Sequence, residues 1–209
     1  MLFITEELNE GYIHACEIGM LLRVLALFPA EDLKGLGAIL LRQPTRKQDV
    51  LEPAWGRLTY FADVGVANQK PVYEGPLVTL EAQKVGQALE WPKSLGPDGQ
   101  RELKRLREDG HNVVNERRRY RFMLTLLGAR HTQLMRTLPH EVGHWVDYLQ
   151  KVVRPTDNGE GDWDALRDRY FQRSSAERES FAHRYADEFR RHNAKVLDLA
   201  TVNSELGNT

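Results

Sequence analysis

At Gly128 the apolar residues of this chain change from a strand-like to a helix-like pattern. Before this residue, short segments rich in branched and aromatic side chains, bounded by proline, glycine or asparagine, predict strands over 38–43, 56–63, 75–82 and 119–127. After it, apolar residues three and four apart predict helices over 131–153, 165–173 and 175–197, with a loop over 154–164. Similar spacing predicts a first helix within 6–28, and "QRELKRLREDGHN" predicts a short exposed helix closed by Gly110.

This order of elements indicates one α+β domain over residues 1–209. Its first part, about 1–127, would hold the N-terminal helix and a small, mostly antiparallel sheet, and its second part, about 131–200, would hold the remaining helices. A chain of 209 residues is long enough to bury a real core.

Charge and composition limit the partners and the compartment. The formal net charge of -1 favours neither a nucleic-acid surface nor an acidic tail, and the single cysteine, Cys16, excludes an intramolecular disulfide and a multi-cysteine zinc cluster. The apolar stretch near the N-terminus starts with acidic residues and is interrupted by Arg23, so it does not fit a secretory signal. No apolar run reaches the length of a membrane span. We therefore expect a cytoplasmic protein without a membrane partner, although export by a route without a signal peptide stays open.

The segment "HEVGHWVDY" carries the clearest chemical pattern in the chain. Residues four apart share one face of a helix, so His140 and His144 can direct two imidazoles at one metal ion. Glu141 can then take a proton from water at the open position of that metal. Gly143 leaves room for a neighbouring backbone between the histidines. A solvated helix face without metal is the competing interpretation.

Pro139 bears on where this helix begins. It either lies in the first turn, with Thr137 as the cap, or kinks a helix that begins nearer Thr132.

A catalytic zinc site needs a third protein ligand. Gln150 stands where the extended form of the motif would have a third histidine, so the last helix is the natural source. Four side chains on that helix are candidates: Glu177, Glu179, His183 and Asp187. Glu179 and His183 lie one turn apart, so one can bind metal while the other supports it. Asp147, three residues after His144, either orients a ligand or is a solvated carboxylate.

"HEVGHWVDY" followed by "ESFAHRYADEF" resembles the zincin metallopeptidases of the gluzincin type, and in particular the peptidase domain of anthrax lethal factor-like proteins. The resemblance covers roughly 113–190 and is specific only at these two motifs. It implies a zincin-like fold and a Zn²⁺ ion bound by His140, His144 and Glu179, with Glu141 as general base. It also implies a tyrosine that stabilises the oxyanion, for which Tyr170 is the first candidate and Tyr185 the second.

The resemblance thus implies a zinc-dependent metallopeptidase that hydrolyses protein or peptide substrates, with the substrate added to an edge strand such as "VTLEA" or "RYRFML". The basic cluster "ERRRYR" (116–121) is interpreted as a solvated strand edge. Two alternatives remain. One is a non-catalytic module that binds protein or nucleic acid, against which the intact Glu141 counts; the other is an enzyme held latent by the N-terminal region or the tail "NSELGNT".

Overall fold

The computed structural model describes residues 1–51, 54–65, 71–86 and 88–202, so the tail "NSELGNT" lies outside the described residues. The elements of its first half are β1 (Leu2–Thr5), α1 (Ile18–Leu25), β2 (Ala38–Arg42), α2 (Arg46–Leu51), β3 (Gly56–Val64), β4 (Tyr73–Glu81), β5 (Ala88–Pro92), α3 (Pro97–Glu108), β6 (Asn112–Asn115) and β7 (Arg119–Met123). Its second half contains α4 (Leu126–His131), α5 (Leu138–Tyr148), α6 (Arg154–Asp157), α7 (Trp163–Gln172) and α8 (Ser175–Val202). The α+β class is confirmed.

The strands form two sheets. The larger has the order β1-β2-β4-β3, in which β1, β2 and β4 run parallel and β3 is an antiparallel edge strand. The smaller is antiparallel, with the order β5-β7-β6. The expectation of a mostly antiparallel sheet is therefore wrong for the larger sheet. The two proposed edge strands are also wrong, because "VTLEA" lies in the interior strand β4 or directly after it and "RYRFML" begins with the interior strand β7.

The sequence located three strands of the larger sheet and most of β7 in the smaller one, and it missed the other strands. The segments predicted over 38–43, 56–63 and 75–82 correspond to β2, β3 and β4. Strands β1, β5 and β6 were not predicted, and β7 ends at Met123 rather than at residue 127. It ends there because the Thr125 hydroxyl accepts a hydrogen bond from the Gly128 N–H and caps a helix that begins at Leu126.

The helix predicted within 6–28 is wrong over most of its length. Residues 6–17 are irregular, with Gly11 at φ 84° and an isolated bridge between Ile13 and Gln83, and only α1 at the end of the segment is helical. The tertiary contact of Ile13 with the strand end at Gln83 overrides the helical spacing. The basic cluster at 116–121 is also not a strand edge, because it contains the turn between β6 and β7 and the start of the central strand β7.

One long irregular helix runs through α4, α5 and α6, with π-helical segments at Thr132–Thr137 and Leu149–Val153. Pro139 and Pro155 are the second residues of α5 and α6, so each π-helical segment ends just before a proline. A proline cannot donate to the carbonyl four residues earlier and clashes with it, and a widened turn relieves both problems. Of the two alternatives considered for Pro139, a cap at Thr137 is wrong, because the helix begins before this proline, at Leu126, and widens to a π-helical segment ahead of it. The loop predicted over 154–164 is shortened by α6.

The main core lies between α1, one face of the larger sheet, α5 and α8, with contributions from residues such as Leu21, Ile39, Val78, Val142 and Phe189. Three aromatic residues of α8, spaced four apart, take part in this core: Phe189 is buried, and Phe181 and Tyr185 pack against the core partly buried. Among the described helices, none is long and apolar enough to cross a membrane.

Candidate metal site

Gly143 allows α5 and α8 to approach each other closely. A Cβ atom at this position would lie 3.0 Å from the Ala182 Cα and 3.1 Å from the Ala182 carbonyl oxygen, so the backbone of α8 occupies the place of a side chain. This confirms the interpretation of Gly143 as a point of close approach. The contact brings the turn of α8 that contains Glu179 beside the two motif histidines of α5.

Three candidate ligand side chains meet at this helix crossing. The Nε2 atoms of His140 and His144 lie 3.2 Å apart. The Glu179 carboxylate is 3.3 Å from His140 Nε2 through Oε2 and 3.4 Å from His144 Nε2 through Oε1. Ligand atoms about 2.0 to 2.1 Å from a tetrahedral zinc ion lie about 3.3 Å from one another. The structure therefore brings together the three residues predicted as ligands, at separations that could hold a metal ion.

His183 is a fourth group beside these three. Its Nε2 atom lies 4.0 Å from Glu179 Oε2, and its ring centroid lies 4.5 Å from that of His140. His140, Glu179 and His183 also form a set with all ligand atoms within 4.8 Å of one another. We favour the set that contains His144. Its Nε2 atom lies 3.2 Å from that of His140 and 3.4 Å from the Glu179 carboxylate, close to the spacing in a tetrahedral site, whereas His183 Nε2 lies 4.0 Å from that carboxylate. The other two candidates face arginines: Glu177 lies 3.5 Å from Arg173, and Asp187 lies 3.5 Å from Arg190.

The protonation state of His140 suits a metal ligand. Burial lowers the pKa of this imidazole to about 3, helped by the neighbouring His144, His183 and Arg105. The pKa of His144 is also lowered by burial, against the opposing influence of Glu179 and Asp147. Both rings are neutral near pH 7 as a result, and neutral nitrogen is the form that binds metal.

The second nitrogen of His140 departs from the usual pattern of a ligand histidine. Its Nδ1 atom is buried without a hydrogen-bond partner in the part of the chain that the structure describes. Ligand histidines usually donate from this nitrogen to an orienting carbonyl or carboxylate. Here ring packing holds the side chain instead, with ring centroids 4.7 Å away at His144 and 4.5 Å away at His183.

Glu141 lies next to the histidines and is held by strand β3. Its Oε2 atom accepts a hydrogen bond of 2.7 Å from the backbone N–H of Leu58. Burial raises the pKa of this carboxyl to about 7, and the Leu58 N–H opposes the rise. The side chain lines a cleft of about 1100 Å³ that also includes His140 and His183. A buried carboxylate that borders a cleft with a pKa near neutrality is suited to accepting and returning a proton.

We expect Glu141→Gln to stabilise the metal-free protein at high pH. A group whose pKa is raised on folding contributes its stability at low pH and loses it as pH rises, here between 4.5 and about 7. The shift corresponds to about 3 kcal/mol of unfolding free energy above about pH 7, which the amide does not lose. Denaturant unfolding of both proteins with a chelator, at a pH of about 5 and about 8, measures this. A stability difference that does not grow with pH would contradict the burial of an ionisable carboxyl at this position.

We expect Gly143→Ala to weaken zinc binding at least about tenfold, because the added methyl pushes α8 and its carboxylate away from the histidines by a few tenths of an ångström. Alanine also has a higher helix propensity than glycine, by about 1 kcal/mol, and this offsets part of the folding stability that the displacement of α8 costs. Gly19→Ala is the matched control, because a Cβ in that helix meets only Arg23 Nη1 at 3.8 Å. Competition with a zinc-binding dye measures the affinities, and equal affinities for wild type and Gly143→Ala would show that the close contact does not position the ligands.

The two tyrosines considered for the oxyanion lie in other surroundings. Tyr170 is 1% exposed in the core, and its hydroxyl lies 3.0 Å from that of Tyr60. Tyr185 donates a hydrogen bond of 2.7 Å to Asp32, in the segment after α1. Neither contact is with the candidate ligands, so the role of Tyr170 as transition-state donor stays a prediction from the resemblance. A polar side chain that does lie beside the candidate ligands is His183.

Asp147 is a fully buried carboxylate at the end of α5. It accepts hydrogen bonds from Lys151 and, at 2.7 Å, from Arg173 Nη1, just before α8. Of the two roles considered from the sequence, a solvated carboxylate is wrong. Because Arg173 leads into α8, this ion pair ties the end of the histidine helix to the start of the helix that carries Glu179.

Some features of the site have no signal in the sequence. The hydrogen bond from Leu58 depends on the pairing of β3 with β4 and on the packing of α5, which no local pattern reveals. Three histidines outside the site have partners elsewhere: His14 and His192 lie within hydrogen-bond distance of backbone carbonyls, and His111 lies 3.1 Å from the Thr132 hydroxyl. Comparison of the chain with models of known protein families, with curated proteins and with solved structures finds no match.

Proposed function

We propose that this protein is a zinc-dependent metallopeptidase that hydrolyses peptide bonds in protein substrates. The observation that carries the proposal is the convergence of His140, His144 and Glu179, with ligand atoms 3.2 to 3.4 Å apart, beside the buried carboxyl of Glu141. The α+β fold with the motif on a central helix is compatible with the zincin-like architecture that the two motifs imply.

The donor set fits zinc. Two imidazole nitrogens and one carboxylate oxygen are ligands that zinc accepts in catalytic sites, where a fourth position is kept for water or substrate. Calcium and magnesium prefer sites made of oxygen atoms alone. The single cysteine is buried and its Sγ lies 3.4 Å from the Gln133 side chain, so a thiolate site is not an alternative.

Zinc bound here would make water acidic enough to be a nucleophile at neutral pH and would polarise the scissile carbonyl. Glu141 takes the proton of the attacking water and passes it to the leaving amine. The Leu58 N–H holds one oxygen of this carboxylate, which fixes its orientation toward the cleft. Burial keeps bulk water away from the carboxyl and raises its pKa, so that it can hold the proton between the two transfers.

The substrate would pair with the outer edge of β3, the edge that faces away from β4. Among the described strands, β3 pairs with β4 alone, and Leu58 directs its N–H away from β4 toward Glu141. An extended peptide that pairs with this edge would therefore pass directly beside the general base. This replaces the two interior strands proposed from the sequence.

Digestion of a proteome-derived peptide library tests the proposal. We expect zinc-loaded wild type to generate new peptide termini that disappear with a chelator and in Glu141→Gln. New termini that persist in Glu141→Gln would point to a contaminating protease. The absence of Glu141-dependent termini would contradict the proposed function.

A further inference from the structure

The cleft beside the candidate metal site carries an excess of positive charge. Among the residues that the structure describes, seven basic side chains and four carboxylates line it, Glu141 included. The basic groups come from several elements: Arg101, Lys104 and Arg105 of α3, Arg190 and Arg191 of α8, and Lys84 and Arg136. The whole chain has 29 basic and 30 acidic residues, so this excess of three is a local feature.

The carboxylates of the cleft other than Glu141 already face cations. Glu102 lies 2.7 Å from Arg136, Glu108 lies 3.6 Å from Lys104, and Asp187 lies 3.5 Å from Arg190. Lys84 and Arg101 have partners of their own, but the five other basic groups still outnumber these three carboxylates, so the cleft keeps a positive potential that a ligand can neutralise. A positive cleft with low-dielectric walls concentrates ligands of opposite charge.

Large apolar side chains line the same cleft. Trp55, Leu106, Phe122 and Leu124 contribute to it together with Trp91, whose ring packs edge-on against Phe122 with centroids 5.2 Å apart. At about 1100 Å³, the cleft exceeds the usual size of a small-molecule site and has room for several residues of an extended chain.

We infer that this cleft binds the substrate peptide through its acidic side chains, so that the protein cleaves beside acidic and partly apolar sequences. The inference rests on the proposed function, because it assigns the cleft to the same hydrolytic site. A peptide is favoured over a nucleic acid because a peptide can place apolar residues against the tryptophans and acidic residues against the arginines, whereas a nucleic acid carries a charge at every phosphate.

A binding experiment tests this without relying on hydrolysis. The zinc-loaded Glu141→Gln protein, full length, is titrated into three labelled probes followed by fluorescence anisotropy: a short peptide of alternating glutamate and leucine, its counterpart with lysine for glutamate, and a short single-stranded DNA. We expect the acidic peptide to bind at least about tenfold more tightly than the basic one, and salt to weaken its binding.

Charge reversal on α8 tests whether the arginines of the cleft bind the acidic peptide. Arg190→Glu/Arg191→Glu is expected to weaken binding of the acidic peptide about tenfold. Arg184→Glu/Lys195→Glu is the matched control, because both residues are exposed on the same helix and outside the cleft. Thermal unfolding of both variants verifies that they fold.

Three results would overturn the inference: equal or tighter binding of the basic peptide, equal losses in the two double variants, or DNA that binds more tightly than the acidic peptide. Failure of the proposed function looks different, because acidic peptides then bind as expected while the library digestion yields no Glu141-dependent termini.

Discussion

Glu141→Gln should lower kcat/KM for a cleaved library peptide about 10³-fold while zinc stays bound. General acid–base catalysis by one positioned side chain contributes about 10² to 10⁴ in rate, and an amide cannot carry the proton from water to the leaving amine. The zinc affinity should hardly change, because the candidate ligands are His140, His144 and Glu179 and the substituted side chain is held instead by Leu58. Rates measured beside the zinc content of the same preparations separate the two effects.

The matched control for this loss is Glu188→Gln, an acidic residue on the exposed side of α8 and outside the cleft. It removes one carboxylate by the same chemical change, and its kcat/KM should equal that of wild type. If Glu141→Gln retains most of its activity with zinc bound, the carboxyl is not the base. If it loses zinc and activity together, the residue acts on the metal site and the assignment of roles fails.

Glu179→Ala should weaken zinc binding more than about a hundredfold, because supporting groups alone cost about 10 to 100-fold and a direct ligand costs more. His183→Ala should cost about tenfold or less, since its Nε2 atom lies 4.0 Å from the Glu179 carboxylate and outside the tighter set of donors. Competition with a zinc-binding dye gives both affinities under identical conditions.

This pair of variants decides which residue completes the site. A larger loss in His183→Ala than in Glu179→Ala would assign the third position to the histidine. His183→Gln is a useful companion, because it keeps a polar side chain of similar length. If His183→Gln recovers the activity that His183→Ala loses but does not recover the zinc affinity, His183 acts on the substrate rather than on the metal.

The sequence predicted more of the candidate site than of the fold. His140 and His144 lie together because residues four apart on α5 share a face. Glu179 reaches them through the packing of α8 on α5, and it was predicted from the resemblance rather than from local spacing. The role of Gly143 could be anticipated from its place between the histidines, and the backbone of Ala182 fills that space. Features that depend on distant pairing could not be anticipated.

The predictions that were wrong or missing concern features that depend on contacts between residues far apart in the sequence. Residues 6–17 have helical spacing, yet Ile13 pairs with Gln83 far away in the sequence. The order of strands in the larger sheet, and with it the choice of β3 as the free edge, follows from long-range packing. The burial of Tyr170 behind Tyr60 likewise depends on how α7 packs against β3.

If His140, His144 and Glu179 form a zinc site, the purified chain should retain zinc. After incubation with one equivalent of zinc and removal of free metal, we expect about one zinc per chain in wild type and almost none in His140→Ala/His144→Ala. Wild type that retains no zinc, or a double variant that retains as much as wild type, would contradict this assignment.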